Sequence, residues 1–213
     1  MTNWAGNITF QATRVHRPTS LSELQEIVAG AERVRTLGTG HSFNRIADTP
    51  ADLVSVARLP EAVTVDREHA QATVSAGMRY AQVCSQLDDA GYALHNLGSL
   101  PHISVAGACA TGTHGSGITN GNLATAVSGI EWVTADGSLA TLTRGDAGFD
   151  GAVLSLGMLG VATRMTLDLQ PAFTVRQVVY EDLAFARLAT DLDEVLGSAY
   201  SVSLFTDWTS PSF

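Results

Sequence analysis

The sequence predicts an α+β fold with mixed sheets. Segments with helical periodicity and segments with strand-like alternation are interspersed along the chain. They do not follow the strict strand–helix–strand rhythm that predicts a parallel α/β sheet, and signals for β-hairpins are frequent. The chain has 213 residues, of which 45% are apolar and 15% charged. This size fits one large domain, or one domain with part of another.

The first predicted elements lead into a glycine loop. Residues Thr19–Gly30 predict a helix, because Ser20 and Glu23 form an S-x-x-E capping box and apolar residues follow at helical spacing. Val34–Leu37 predicts a short strand that runs directly into Gly38. A glycine loop placed directly after a strand is a suitable position for binding a cofactor.

The middle of the chain predicts two hairpins and a second helix. The Asp-Gly pair at 136–137 lies between two apolar runs and is a strong hairpin signal. In order, the predicted elements are the strand Leu53–Ala57, the hairpin Val63–Val65 with Ala72–Ser75, the helix Tyr80–Leu87 ended by Gly91, the hairpin Ile130–Thr134 with Leu139–Thr143, and the half-buried strand Val161–Leu169.

Pro171 ends the last of these strands and marks a soft domain boundary. Beyond it the sequence predicts a strand at Val175–Tyr180, a helix at Leu183–Leu196 and a strand at Ser201–Phe205.

Composition and charge disfavour several classes of partner. The net charge of −9 comes without a basic stripe, and nucleic-acid binding needs Lys and Arg to neutralise phosphates. We find no signal peptide at residues 1–10 and no apolar run of the roughly 18–20 residues that a membrane span requires, so we expect no membrane partner. The two cysteines, Cys84 and Cys109, match no metal motif and indicate a reduced, cytoplasmic chain.

Two loops carry the residues suited to ligand chemistry. Residues 36–44 read T-L-G-T-G-H-S-F-N, and glycines on both sides of Thr39 allow successive N–H groups to point at one anion. This loop is neither a Walker loop nor a G-x-G-x-x-G fingerprint. Residues 97–117 are rich in Gly, Ala, Ser and Thr, which suits either a tight wrap around a flat anionic ligand or a close-packed structural turn. The spacing of His95, His102 and His114 matches no zinc pattern, so we expect no metal.

Four motifs in order resemble a known family. They are G-T-G-H-S-F-N at 38–44, L-P-H-I-S-V-A-G at 100–107, A-T-G-T-H-G-S-G at 110–117 and L-G-M-L-G-V at 156–161. Their order and spacing are similar to those of the FAD-binding domain of the vanillyl-alcohol-oxidase superfamily, above all of alditol (xylitol) oxidases and more distantly of sugar-lactone oxidases. The resemblance implies a PCMH-type FAD-binding domain of two α+β subdomains at residues 1–171. It also implies that residues 172–213 are the beginning of a substrate domain that is incomplete in this chain.

The resemblance also implies a set of site residues. FAD is expected to be bonded covalently through His41 to its 8α-methyl group, and Ser99 matches a position beside the flavin where a substrate hydroxyl is held. The positions that match FAD contacts are Thr36, Leu37, Gly38, Thr39, Gly40, His41, Ser42, Ser99, Ser104, Gly107, Thr111, Gly112, Thr113, His114, Val161 and Ala162.

The implied activity is oxidation of the primary alcohol of a sugar alcohol to an aldose, with O2 reduced to H2O2. The partners are then the sugar alcohol, O2 and the remainder of the substrate domain, whose residues would complete the active site. Two alternatives stay open. One is a sugar-lactone oxidase or dehydrogenase of the same superfamily, and the other is a non-catalytic FAD-binding fragment.

Overall fold

The computed structural model describes residues 1–213 and confirms the α+β class, with three β-sheets and five α-helices. The first half of the chain contains, in order, β1 (Arg14–His16), α1 (Leu21–Gly30), β2 (Val34–Thr36), β3 (Asp52–Val54), β4 (Val63–Asp66), β5 (Gln71–Ser75), α2 (Tyr80–Asp89), β6 (Tyr92–Ala93) and α3 (Val105–Ala110). The second half contains a 3₁₀ turn (Leu123–Ala126), β7 (Val127–Val133), β8 (Leu139–Thr143), α4 (Phe149–Val153), β9 (Val161–Asp168), β10 (Gln170–Pro171) and α5 (Phe185–Gly197).

The sheets are of two kinds. A three-stranded parallel sheet has the order β1-β3-β2, with Leu53 paired to Val15 on one side and to Arg35 on the other. A five-stranded antiparallel sheet has the order β4-β5-β9-β7-β8, and β10 pairs with β6 in a short antiparallel ribbon. Each sheet is thus uniform in strand direction, and the mixture arises because a parallel and an antiparallel sheet share one domain.

The predicted local signals form, except that the capping box of α1 is only half made. Ser20 caps α1 by accepting a hydrogen bond from the Glu23 N–H (3.2 Å), although the Glu23 carboxylate accepts from the N–H of Thr19 (2.7 Å) rather than closing the box on Ser20 itself. The turn between β7 and β8 is closed by Thr134 and Ser138, with Gly137 at φ +83°. Strand β9 alternates between buried and partly exposed side chains, as its sequence pattern predicts.

Two hydrophobic clusters hold these elements together. The larger packs α2 and α3 against the antiparallel sheet, with Val83, Leu87 and Val105 fully buried. The smaller consists of Leu24, Val28, Val54, Val133 and Val161. Because these five residues come from α1, β3, β7 and β9, the smaller cluster joins the parallel sheet to the antiparallel one.

The lack of periodicity over residues 97–122 predicts a long loop, and this prediction is wrong in one respect, because the segment contains the helix α3. Val105, Ala108 and Cys109 are its buried residues, at the i, i+3, i+4 spacing of a helix face. The face is so short, and its side chains so small, that it leaves little periodicity in the sequence. Close packing of small residues on the sheet stabilises the helix instead.

The predictions for the residues after Pro171 are confirmed only in part. The predicted strands at 175–180 and 201–205 are wrong, since neither segment pairs with another strand and none of residues 172–213 is buried. Their apolar side chains have no partner strand or core within this chain. The predicted helix forms as α5, with a kink at Asp191 and no buried residue. No helix in the structure combines the length and apolarity needed to cross a bilayer.

We expect Leu24→Ala to lower the free energy of unfolding by about 2–5 kcal/mol, because Leu24 is fully buried in the cluster that joins the two sheets. Leu21 lies on the same helix but is 37% exposed, so Leu21→Ala should change stability by at most about 0.5 kcal/mol. Urea unfolding followed by circular dichroism measures both. Equal losses for the two variants would contradict the assigned role of the cluster.

Candidate functional site

Two clefts run into each other at the ends of the strands. The larger has a volume of about 640 Å³ and is lined by residues 36–44 and by parts of 98–114. The smaller, of about 120 Å³, continues between the ends of β3 and β5 and the start of β9. Both are lined by residues 36–39 together with Ser104 and Gly107. They therefore form one elongated site, and the larger part has the size of an ordinary ligand pocket.

Facing glycines form the narrowest part of this site. A Cβ placed on Gly38 would lie 2.6 Å from the Ser104 Oγ and 3.6 Å from the Gly107 Cα. A Cβ placed on Gly107 would lie 2.8 Å from the same Oγ and 3.8 Å from the Gly38 Cα. Any side chain at either position would fill the gap, so both loops present bare backbone to the cleft.

Ser104 indicates a polar ligand at this point. Its side chain is buried, yet its Oγ has no hydrogen-bond partner in the protein. A buried hydroxyl without a partner costs about 1–3 kcal/mol, which a ligand oxygen in the cleft would recover. Bare backbone beside a free hydroxyl suits a phosphate, so the site fits the dinucleotide expected from the sequence.

The charge of the lining suits an anion as well. Arg79 is the one residue of either lining with a permanent charge, and no carboxylate lines either cleft, although the chain as a whole carries −9. A diphosphate would therefore meet one guanidinium and backbone dipoles without facing a nearby negative group.

His41 lies at the wide end of the site, where three side chains surround its ring. Its Nδ1 hydrogen bonds to the Thr39 Oγ1 (3.0 Å), and its Nε2 to the Nε2 of His102 (2.8 Å). Trp4 stacks on the ring with centroids 5.0 Å apart. Thr39 also accepts a hydrogen bond from the Ser104 N–H (3.3 Å), so one hydroxyl ties the histidine to the second loop.

The surroundings favour the neutral form of His41. Burial lowers the pKa of the imidazole below its usual range, and the neighbouring His102 and Arg79 act in the same direction. A neutral imidazole keeps a lone pair on one ring nitrogen, which a protonated ring lacks. His41 is therefore in the form that can act as a nucleophile at neutral pH.

The structure brings nearly all of the predicted site residues together. Val161 and Ala162 line the smaller part, Ser99 and His114 line the larger part, and the predicted residues of 36–42 and Ser104, Gly107, Thr111 and Thr113 lie between or around them. Gly112 lines neither part. It has φ +66° and its N–H donates to the Cys109 carbonyl, so its position is at the turn that ends α3.

Gly77 and Arg79 are among the lining residues that the sequence did not predict, and Trp4 was missed as a neighbour of His41. Gly77 allows close contact because a Cβ there would lie 2.5 Å from the Val56 carbonyl oxygen, and Arg79 follows it at the start of α2. The G-M-R run at 77–79, one residue after the predicted strand Ala72–Ser75, was the available signal for both. Nothing in the sequence pattern signals the contact of Trp4 with His41, which are 37 positions apart.

Comparisons with known proteins agree with this geometry. The family model described as an FAD binding domain matches residues 12–143. Alditol oxidase of Streptomyces sp. is 50% identical over 216 residues, which cover 100% of this chain and 52% of that protein. L-gulono-1,4-lactone dehydrogenase of Mycobacterium tuberculosis is 36% identical over 179 residues, covering 82% of this chain and 42% of that protein. The chain thus spans about half the length of the curated relatives that it matches.

A solved structure shares the fold. A variant of Phl p 4 described as a glucose dehydrogenase superposes with a TM-score of 0.64 at 24% identity, over 74% of this chain and 34% of that one. The matched family model covers more than half of the chain and includes both glycine loops. The chain therefore belongs to the family of FAD-binding domains, as a PCMH-type domain similar to that of alditol oxidase.

Proposed function

We propose that this chain is the FAD-binding portion of an oxidase that converts the primary alcohol of a sugar alcohol to an aldose and reduces O2 to H2O2. The observation that carries the proposal is the 50% identity to alditol oxidase along the whole chain. It is supported by the cleft, which joins a narrow part, where the backbone of Gly38 and Gly107 and the Ser104 hydroxyl suit a diphosphate, to a wider part next to His41. We also propose a cytoplasmic location, in keeping with the free thiols of Cys84 and Cys109.

Within this proposal FAD is bonded covalently to His41. A ring nitrogen of His41 would hold the flavin through its 8α-methyl carbon, and the two hydrogens lost in forming that bond, one from the imidazole N–H and one from the methyl group, would leave with O2 as H2O2. The lowered pKa of His41 favours the neutral ring that this step needs. The contacts with Thr39, His102 and Trp4 restrict its rotation, so that the reacting nitrogen is held ready.

The other residues bind and orient. The backbone at Gly38 and Gly107, the hydroxyl of Ser104 and the guanidinium of Arg79 would hold the diphosphate. The chemistry that FAD supplies when bound is acceptance of a hydride from the substrate carbon and transfer of two electrons to O2. Ser99 is exposed in the wider part of the cleft, where we propose that it holds a substrate hydroxyl.

We propose that residues 1–171 are the FAD-binding domain and that residues 172–213 begin the substrate domain. Two features support this division. The last paired strand ends at Pro171, and no residue after it is buried. Large apolar side chains of the second part are exposed, among them Val175, Tyr180 and Phe205. Such a surface is typical of a segment that packs against further structure.

A second candidate is a sugar-lactone dehydrogenase or oxidase, which the 36% identity to L-gulono-1,4-lactone dehydrogenase favours. A non-catalytic FAD-binding fragment is the third. The three differ in which compound, if any, can reduce the bound flavin.

We expect His41→Ala to abolish covalent attachment of flavin while the protein still folds. Wild type, His41→Ala and a control variant of an exposed histidine, His69→Ala, are expressed and precipitated in acid. Flavin fluorescence should remain in the washed pellets of wild type and of the control, and should be absent from that of His41→Ala. Flavin released from wild type would contradict the covalent bond and leave the FAD site intact. A folded wild-type chain without any flavin would contradict the FAD site itself.

We expect xylitol or sorbitol to bleach the flavin absorbance under anaerobic conditions when this chain is joined to a complete substrate domain, whose residues complete the active site. L-gulono-1,4-lactone should have no effect. Bleaching by the lactone alone would instead assign the chain to the second candidate. If neither compound bleaches flavin that dithionite readily reduces, the chain binds FAD without oxidising either substrate, as expected of the third candidate.

A further inference from the structure

Residues 1–10 fold into a compact loop beside the His41 loop. The Asn3 N–H donates to the Ile8 carbonyl and the Phe10 N–H to the Met1 carbonyl, both at 2.9 Å. The Asn3 Oδ1 accepts from the Ile8 N–H (3.1 Å), and both Asn3 and Ile8 are buried. The segment therefore has a defined conformation, although it contains no helix or sheet strand.

This segment holds the backbone on both sides of His41. The Trp4 N–H donates to the carbonyl of Gly40 (2.8 Å), and the Asn3 Nδ2 donates to the carbonyl of Ser42 (3.0 Å). Gly40 has φ +72°, and a Cβ there would lie 3.7 Å from the Asn3 Cα. The neighbours of His41 before and after it in the chain are thus tied to the same two residues.

The indole of Trp4 adds a side-chain contact with His41 to these backbone hydrogen bonds. It stacks on the His41 ring at an interplanar angle of 23°, and His102 lies against the same ring with centroids 4.7 Å apart. Trp4 is 55% exposed, so this contact contributes little to the hydrophobic core. An exposed indole that is held by its own backbone over one imidazole is placed to orient that imidazole.

We propose that residues 1–10 form a strap over the His41 loop and that Trp4 is a positioning residue, which sets the ring orientation of His41 for attachment to the flavin. This inference rests on the proposed covalent attachment. The attachment depends on the direction of one nitrogen lone pair, and misplacement of a reacting group by about 1 Å can reduce a rate by about a hundredfold. The strap restricts the backbone conformation on both sides of His41, and the indole of Trp4 limits the tilt of the imidazole ring.

The first experiment measures the rate of attachment. Protein produced without flavin is mixed with FAD, and acid-stable flavin fluorescence is followed over time for wild type, Trp4→Ala, Trp4→Phe and the control Trp208→Ala, whose indole is exposed and lines neither cleft. We expect Trp4→Ala to slow attachment by roughly ten- to a hundredfold. Trp4→Phe should restore it to within about threefold of wild type because a phenyl ring can still stack on the imidazole.

Wild-type rates in both Trp4 variants would overturn the proposal. A loss that Trp4→Phe does not rescue would overturn the positioning role of the ring. If Trp4→Ala fails to fold, Trp4→Leu takes its place, because a leucine side chain is apolar but has no ring to stack on the imidazole, and the second experiment still decides.

The second experiment needs no flavin and so separates this inference from the covalent bond. The difference in fluorescence between wild type and Trp4→Phe reports on Trp4. Because a protonated imidazole quenches a stacked indole, this difference should grow as the pH rises between about 5 and 8, with its midpoint below the usual histidine pKa of about 6.5.

His102 and Arg79 are the other titratable or charged groups near His41, so the same titration is run on His41→Ala. Loss of most of the pH-dependent change in that variant is the expected result. A change that is absent from wild type, or retained in full by His41→Ala, would show that Trp4 does not stack on His41 in solution and would overturn the strap. Failure of covalent attachment in wild type would contradict the proposed bond and the positioning role that depends on it, whereas the strap and the stacking of Trp4 on His41 are tested separately by the titration.

Discussion

The close approach of Gly38 and Gly107 around the Ser104 hydroxyl is the constraint on which the site depends. The loop after β2 and the helix α3 come from different parts of the fold and meet there, with the Ser104 hydroxyl beside the two glycines. The loop is held by β2 in the parallel sheet, and α3 packs on the antiparallel sheet. The small hydrophobic cluster that joins the two sheets therefore fixes the width of the cleft. The backbone of Gly38 and Gly107 can bind a dinucleotide because the rest of the domain keeps the two segments at a set distance.

The same arrangement places the histidine. Thr39 lies between the two facing loops, and its hydroxyl contacts both the His41 ring and the Ser104 N–H. The ring is thus linked to the loop that would bind the diphosphate. Burial and nearby cationic or ionisable side chains favour its neutral form. One continuous network therefore joins the residues that would bind the diphosphate to the histidine that we propose as the attachment point of the flavin.

The sequence predicted the parts of the molecule whose signals are local. The capping residues of α1, the Asp-Gly hairpin and the alternation of β9 are each encoded within a few residues, and all form. The cleft residues came from a resemblance carried by ordered motifs, and the structure brings all of them except Gly112 into one lining. The features that the sequence did not predict depend on contacts between residues that are far apart in the chain. The helix α3 is stabilised by packing of small residues, Trp4 reaches His41 across 37 positions, and the strand-like pattern at 175–180 has no partner strand to pair with.

The most direct test of the central claim is the affinity of a Gly107→Ala chain for FAD. It is measured by calorimetry in the His41→Ala background, so that binding is reversible. Alanine is favoured inside a helix such as α3, and the Ser104 hydroxyl can rotate away from the added methyl group, so the fold should survive. The methyl group would still occupy the gap between the loops. Gly30→Ala is the matched control, since a Cβ at Gly30 meets nothing within 4 Å. The account predicts that Gly107→Ala weakens FAD binding by at least about tenfold, or about 1.4 kcal/mol, relative to that control. Equal affinities would contradict it.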